Sequence, residues 1–139
     1  MNILIIDDQK FIRETLKADI NKCLAENEIN IYQASNGNQG IDLIMGLNVS
    51  LDLIIIDLKM EQGDGIAVIN MLATEPRWMS IPIAVISSSD KRTLELVDGI
   101  IHTLRLNLLG VFAKPVNASD ILMPLLTTDT EDVPESTTH

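Results

Sequence analysis

Short apolar runs alternate with amphipathic segments along most of the chain. Three runs, at residues 2–6, 51–56 and 83–86, are rich in Ile, Leu and Val and suit strands buried on both faces of a parallel sheet. Two weaker candidates suit the sheet edges, because residues 29–34 begin with alternating apolar and polar positions and residues 110–113 form a short run. The pattern therefore predicts five strands, with the first, third and fourth in the middle.

Apolar residues at helical spacing follow these runs. The positions that define the first three helices are Ile12, Leu16, Ile20 and Cys23, then Ile41, Ile44 and Met45, then Ile66, Ile69 and Leu72. An extended fourth helix is predicted from about Lys91 to Asn107, and a short fifth helix is predicted because Asn117 is a good N-cap and Pro124 interrupts the helix interior. The alternation predicts an α/β fold, a flavodoxin-like doubly wound five-stranded parallel sheet in the order 2-1-3-4-5.

The fourth predicted helix carries more apolar residues than one contact face needs. One stripe consists of Leu94, Val97, Ile101, Leu104 and Leu108, and a second of Leu96, Ile100 and Leu106. The first stripe is expected to pack on the sheet. The second has no obvious target within the chain, unless a slightly displaced helix buries both stripes.

The composition limits the classes of function that the chain can have. A length of 139 residues with 46% hydrophobic content predicts one globular domain at 1–126, and the acidic segment 127–139 is predicted to be a disordered tail or linker. The net charge of −10 argues against direct binding to nucleic acid or to an anionic membrane. The single cysteine, Cys23, and the lack of a signal peptide or a membrane-length apolar run predict a cytoplasmic protein.

Polar residues with useful chemistry follow the predicted strands. Asp7 and Asp8 follow the first strand, Asp57 the third, Ser87 the fourth and Lys114 the fifth. Parallel strands bring such residues to the same edge of the sheet, where ligands bind in folds of this type. Clustered carboxylates repel one another, and a hard divalent cation such as Mg²⁺ would relieve that repulsion. The acids, hydroxyl and amine together suit the binding of a phosphoryl group.

Four motifs in this order resemble the receiver domain of two-component response regulators, including the chemotaxis regulators, over roughly residues 2–123. The motifs are Ile5-Ile6-Asp7-Asp8, Asp57-Leu58-Lys59-Met60 with Gly65 downstream, Ile83-Ala84-Val85-Ile86-Ser87, and Lys114-Pro115. The resemblance implies that Asp57 is the phosphoacceptor and that Mg²⁺ or Mn²⁺ binds Asp7, Asp8, Asp57 and the backbone carbonyl of Lys59. It also implies that Ser87 and Lys114 contact the phosphoryl oxygens and that the Lys114–Pro115 bond is cis.

The function implied by this resemblance is phosphorelay signalling. A histidine kinase or phosphotransfer protein would donate a phosphoryl group to Asp57, and the domain would change conformation or dimerise to control a fused or separate output domain. Such a domain is a switch rather than an enzyme, although it can catalyse its own phosphoryl uptake and hydrolysis. A homodimer would use the fourth helix, fifth strand and fifth helix. Receivers usually have an aromatic residue three positions before the lysine, and Val111 stands there, so the usual ring movement is not expected.

Several alternatives use the same residues differently. Asp8 could cap the first helix, and Asp57 could be an acid in a loop. Trp78, which lies between two prolines, is expected to be a packing anchor. A dehalogenase-type enzyme would need a second aspartate at the position of Lys59, and a flavin-mononucleotide-binding protein would not place two aspartates after its first strand. An unphosphorylated receiver-like interaction module is the remaining alternative.

Overall fold

A computed structural model describes residues 1–58, 65–88 and 91–127 of the chain. Its centre is a parallel sheet in the order β2-β1-β3-β4-β5, which confirms the predicted topology. The strands are β1 (Asn2–Ile6), β2 (Asn30–Ala34), β3 (Leu53–Asp57), β4 (Ile83–Ser87) and β5 (Leu108–Ala113). The predicted acidic tail and the loop that contains Lys59 lie outside the described residues, apart from residue 127.

Helices cover both faces of the sheet. They are α1 (Lys10–Cys23), α2 (Gly37–Gly46), α3 (Gly65–Leu72), α4 (Pro76–Met79), α5 (Lys91–Thr103) and α6, which covers residues 118–127. One apolar cluster joins α2, α3, α4 and α5 to one face, and the other joins α1 and α6 to the opposite face. None of the helices in the described ranges is long and apolar enough to span a bilayer.

The burial of the strands explains their order. β3 and β4 are buried at every position and β1 at all but its first, whereas most residues of β2 and β5 are partly exposed. Continuous burial suits central strands, because helices cover both of their faces. The polarity of each run in the sequence was therefore sufficient to predict which strands lie at the edges.

The short helix α4 is absent from the sequence prediction. Four residues are too few to show a helical period, and the nearby prolines Pro76 and Pro82 suggested only a loop. Pro76 lies in the first turn, where its missing N–H costs no helical hydrogen bond. Trp78 is buried in the larger apolar cluster, as expected of a packing anchor, and the Arg77 guanidinium lies 4.7 Å from the centroid of its ring.

α5 corresponds to the predicted fourth helix, and it ends at Thr103 rather than near Asn107. Arg105 adopts a left-handed conformation with φ of 61°, and its N–H donates to the His102 carbonyl while the Leu106 N–H donates to Ile101. These bonds close the helix in the manner of a Schellman motif. The turn lets Leu106 become buried, and β5 then starts at Leu108, earlier than the predicted Gly110.

The two apolar stripes predicted for the fourth helix therefore have different environments. Leu94, Val97 and Ile101 of the first stripe lie on α5 and belong to the larger apolar cluster on the sheet, as predicted. Leu104 lies in the turn after the helix and Leu108 belongs to β5 itself, so the helical stripe is shorter than predicted. Leu96 and Ile100 of the second stripe are 63% and 40% exposed, whereas Leu106 is buried by the turn. Of the second stripe, only Leu96 and Ile100, which lie within α5, face outward.

α6 corresponds to the predicted fifth helix. It is not interrupted at Pro124, so the prediction that this proline breaks the helix is wrong. The described helix continues through Pro124 to residue 127. Three apolar side chains of this helix, Ile121, Leu122 and Leu125, are buried against the sheet. Burial of a large aliphatic side chain contributes roughly 1.5–3 kcal/mol, which is enough to offset the cost of one internal proline.

Replacing Pro124 by alanine should stabilise the protein. Pro124→Ala restores the N–H that can donate to the carbonyl of Asp120, four residues earlier, so the free energy of unfolding should rise by about 1–3 kcal/mol. Urea denaturation followed by circular dichroism measures this change. Ser119→Ala, at an exposed position of the same helix, is the control and should change stability by no more than about 0.5 kcal/mol. A destabilised Pro124→Ala variant would contradict the argument.

Candidate functional site

The register of the sheet brings the chemically active residues together at its carboxyl edge. Ile6 pairs with Ile56, Asp57 with Ile86, and Ser87 with Ala113. Each of these central strands therefore ends at nearly the same level. Asp7, Asp57, Ser87 and Lys114 lie at or directly after the strand ends, which is the edge where parallel sheets bind ligands.

Three carboxylates form a cluster at this edge. Asp7, Asp8 and Asp57 each place one carboxylate oxygen within 4.8 Å of the others. Asp7 and Asp57 are buried, whereas Asp8 is exposed. The alternative role of Asp8 as a helix cap is not observed, because Gln9 occupies the N-cap position of α1 and no side-chain capping bond is formed there.

Lys114 provides the positive charge that faces the two buried acids. Its Nζ lies 3.0 Å from Oδ2 of Asp7 and 3.3 Å from Oδ2 of Asp57. Oδ2 of Asp7 is nevertheless a buried oxygen without a hydrogen-bond donor of suitable geometry, so its contact with Lys114 is an ion pair rather than a directed hydrogen bond. One ammonium group cannot balance three carboxylates, which leaves the cluster with excess negative charge.

The donor set fits a hard divalent cation. Carboxylate oxygens are the ligands that Mg²⁺ and Mn²⁺ take in proteins, and Oδ2 of Asp7 is a buried carboxylate oxygen that accepts no hydrogen bond. Lys59, whose backbone carbonyl the resemblance adds to this set, lies outside the described residues.

Backbone hydrogen bonds fix the ends of the strands around the cluster. The Leu58 N–H donates to the Ile86 carbonyl at 3.1 Å, and the Lys114 N–H donates to the Ser87 carbonyl at 3.0 Å. Ser87 is completely buried and is joined to Lys114 through this bond. The structure thus places all five predicted side chains, Asp7, Asp8, Asp57, Ser87 and Lys114, along one edge of the sheet.

A glycine allows α3 to begin directly against the central acid. A Cβ built on Gly65 would lie 2.7 Å from the carbonyl oxygen of Asp57 and 2.9 Å from a side-chain carbon of Ile56. Real Cβ atoms do not approach a backbone oxygen this closely, so any larger residue would push α3 away from β3. The glycine in the motif therefore serves close packing beside Asp57.

The segment from Val111 to Pro115 has two features that bear on the site. Val111 belongs to the apolar cluster on the α5 face and Phe112 to the cluster on the α6 face, so the two side chains point in opposite directions. The ring of Phe112 lies over Gly110 instead, 2.8 Å from where a Cβ would stand. The Lys114–Pro115 peptide bond is cis, as the resemblance implied.

Arg13 is a residue near the site that sequence analysis did not single out. Its Nη1 donates to the backbone carbonyl of Asp7 at 2.7 Å, although the sequence suggested only a polar position on the surface of α1. One signal was present. Arg13 lies in the first turn of α1, where the helix dipole disfavours a positive charge, but Lys10 lies there too, so this signal does not identify Arg13 alone.

Comparison with known proteins agrees with this fold. The chain matches the model of the response regulator receiver domain over residues 3–125. It is 30% identical over 123 residues to the nitrate/nitrite response regulator protein NarL of Escherichia coli strain K12, a match that covers 88% of this chain and 52% of NarL. It is 29% identical over 92 residues to the KDP operon transcriptional regulatory protein KdpE of the same strain, which covers 66% of this chain and 37% of KdpE. The chain therefore spans about half the length, or less, of these curated relatives.

Solved structures of response regulators share the fold. A two-component response regulator from Legionella pneumophila superposes with a TM-score of 0.75 at 19% identity, covering 94% of this chain and 98% of that one. The Mn²⁺-bound form of the response regulator Rcp1 superposes with a TM-score of 0.66 at 17% identity, covering 89% of this chain and 88% of that one. The fold is therefore that of an α/β receiver domain. The chain belongs to the response regulator receiver domain family.

The charge balance of the site predicts opposite effects for two substitutions in metal-free buffer. Asp57→Asn removes one of three mutually repelling carboxylates and should raise the free energy of unfolding by about 1–2 kcal/mol. Lys114→Met removes the ammonium that faces Asp7 and Asp57 and should lower it.

Urea denaturation in the presence of a chelator measures both changes. Added Mg²⁺ should reduce the advantage of Asp57→Asn, because the cation relieves the same repulsion in the unsubstituted protein. Equal destabilisation by the two substitutions would show that repulsion does not dominate the cluster.

Proposed function

We propose that this receiver domain accepts a phosphoryl group on Asp57 in a Mg²⁺-dependent reaction and passes the signal on by a change in conformation or association. The observation that carries the proposal is the contact of one lysine with two buried acids beside a third, at the carboxyl edge of the sheet. Membership of the family supports a histidine kinase or phosphotransfer protein as the donor.

The chemistry follows from the position of Asp57. A carboxylate oxygen attacks the phosphorus of a phosphohistidine, the new P–O bond forms, and the P–N bond breaks. The imidazole of the donor leaves with the bonding electron pair and takes up a proton. Asp57 is buried, so water has little access to the acid before the donor docks. The product is an aspartyl phosphate on a domain that acts as a switch rather than on a turnover enzyme.

The neighbouring side chains would hold the phosphoryl group. Lys114, already between Asp7 and Asp57, would pair with a phosphoryl oxygen once Asp57 is esterified. Ser87, at the end of β4, would donate a hydrogen bond from its hydroxyl to another phosphoryl oxygen. Phosphorylation adds charge that only the arrangement with both groups drawn inward can satisfy, which biases the protein toward that state.

A divalent cation would bind the acids on the same edge. Asp7, Asp8 and Asp57 supply carboxylate oxygens, and the carbonyl of Lys59 is proposed as a further ligand. Bound Mg²⁺ or Mn²⁺ would neutralise charge on the oxygens of the transferring group. The Mn²⁺-bound state of Rcp1, which shares the fold, supports this choice of metals.

The alternative of an unphosphorylated interaction module is not favoured. It gives no reason to bury Asp7 and Asp57 beside Lys114, since buried charges are costly unless they serve a function. The output domain and the cognate kinase are matters for the whole protein, since the chain spans only part of its relatives. The location in the cytoplasm and the disordered tail at 127–139 stay predictions.

Labelling by a small phosphodonor tests the phosphoacceptor. Wild-type protein incubated with acetyl phosphate or phosphoramidate and Mg²⁺ should gain the mass of one phosphoryl group. Asp57→Asn should abolish the gain, because the amide is not a nucleophile for phosphorus, and a chelator should abolish it in the wild type. Asp42→Asn, an exposed acid on α2, is the matched control and should label normally. Retained labelling of Asp57→Asn, read by intact mass spectrometry, would overturn the assignment.

The exposed apolar residues beside β5 suggest where signalling partners bind. Leu96 and Ile100 on α5 and Met123 and Leu126 on α6 are 40–63% exposed, and β5 between these helices is an edge strand. Monomeric proteins rarely leave several large apolar side chains exposed in one region. We therefore assign homodimerisation to this α5–β5–α6 surface, with phosphorylation of Asp57 altering its strength.

Sedimentation velocity tests the dimer. Wild-type protein should associate more strongly with a phosphate mimic such as beryllofluoride than without it, and more strongly as salt screens the net charge of −10 on each copy. Leu96→Glu should weaken association at least tenfold by placing a charge in the apolar contact, an effect of about 1.4 kcal/mol or more. Met45→Glu, at an equally exposed apolar position on α2, should not. A monomer in both states at high concentration would exclude the dimer.

A further inference from the structure

The side chain of Arg13 links three elements next to the acidic cluster. From α1, its Nη1 donates to the carbonyl of Asp7 at the end of β1, at 2.7 Å. Its Nε donates to Oε1 of Gln33 on β2, at 3.1 Å. Gln33 in turn lies 3.5 Å from a carboxylate oxygen of Glu14 on α1. The half-buried guanidinium thus has a fixed position relative to both strands.

The bond from Arg13 is one of three hydrogen bonds that hold Asp7 in place. The Asp7 N–H donates to the Ala34 carbonyl at 3.1 Å, and Oδ1 accepts from the Gln9 N–H at 2.8 Å. With the carbonyl held by Arg13, the remaining polar atom is Oδ2, which faces Lys114 and has no hydrogen-bond donor. Hydrogen bonds therefore hold the N–H, the carbonyl and Oδ1 of Asp7, and Oδ2 is the polar atom left to bind a cation.

We propose that Arg13 is a positioning residue for the cation site. By holding the peptide between Asp7 and Asp8, it fixes the direction in which both carboxylates enter the cluster. This inference rests on the proposed function, since it concerns the same divalent cation. Groups that orient metal ligands typically change metal affinity by 10–100-fold when they are removed.

Charge and positioning make opposite predictions for this residue. A positive charge near a cation site repels the cation, so an arginine that acted only through its charge would tighten binding when removed. An arginine that orients Asp7 and Asp8 would weaken binding when removed. Arg13 donates to a neutral carbonyl of Asp7 and an amide of Gln33, neither of which is a carboxylate, which favours the second role.

Calorimetric titration with MgCl₂ separates the two roles. The full chain with Arg13→Gln should bind Mg²⁺ with a Kd raised about tenfold. Lys17→Gln removes the same charge one turn further along α1 and is the matched control, for which the Kd should be unchanged or slightly lower. Gln33→Ala leaves the bond to Asp7 but frees Nε, and should raise the Kd by a smaller factor.

The outcomes are distinct. An unchanged or lowered Kd for Arg13→Gln, or equal weakening by Lys17→Gln, would overturn the inference. Urea unfolding without metal is measured in parallel, and a loss of stability with an unchanged Kd would make Arg13 a merely structural residue. If Arg13→Gln does not fold, Gln33→Ala decides in its place, and an unchanged Kd there overturns the proposal. Wild-type protein that binds no Mg²⁺ at millimolar concentration would instead remove the proposed function itself.

Discussion

Like charges held together by the geometry of a parallel sheet are the constraint on which the rest of the structure depends. Strands that run in the same direction and stay in register must end at the same edge, so the acids after β1 and within β3 cannot avoid one another. Lys114, carried by the loop after β5, offsets part of the repulsion between Asp7 and Asp57. What remains is a site with excess negative charge, which suits a divalent cation.

The apolar core makes this arrangement possible. β1, β3 and β4 are buried from both sides, and their aliphatic side chains divide between two clusters that attach different sets of helices. Burial on this scale can compensate for charges placed at the end of the sheet. The clusters also differ at β5, where Val111 faces one side and Phe112 the other. In the proposed switch, a signal through β5 would therefore use shifts of packed aliphatic groups and of backbone rather than the swing of one ring.

The sequence was sufficient for the topology and for the placement of Asp7, Asp57, Ser87 and Lys114 at one edge of the sheet, because both depend on local patterns. A buried strand is a continuous apolar run, and the residue that follows it is at the edge of the sheet. Features that depend on contacts between distant segments were not predictable in this way. α4 is too short to show a period, the packing of Ile121, Leu122 and Leu125 outweighs the local preference of Pro124, and the bond from Arg13 to Asp7 requires knowing which way a long side chain bends. The turn at Arg105 likewise ended α5 before the apolar pattern did.

The tight contact at Gly65 has a mechanical consequence. Because the first residue of α3 rests on the carbonyl of Asp57 without room for even a methyl group, the start of this helix cannot move closer to β3. A group attached to the acid therefore cannot draw α3 inward. On the other flank, β4 and β5 carry Ser87 and Lys114, and the helices next to β5 expose apolar side chains. One missing Cβ thus removes one of the directions in which the domain could contract around its site.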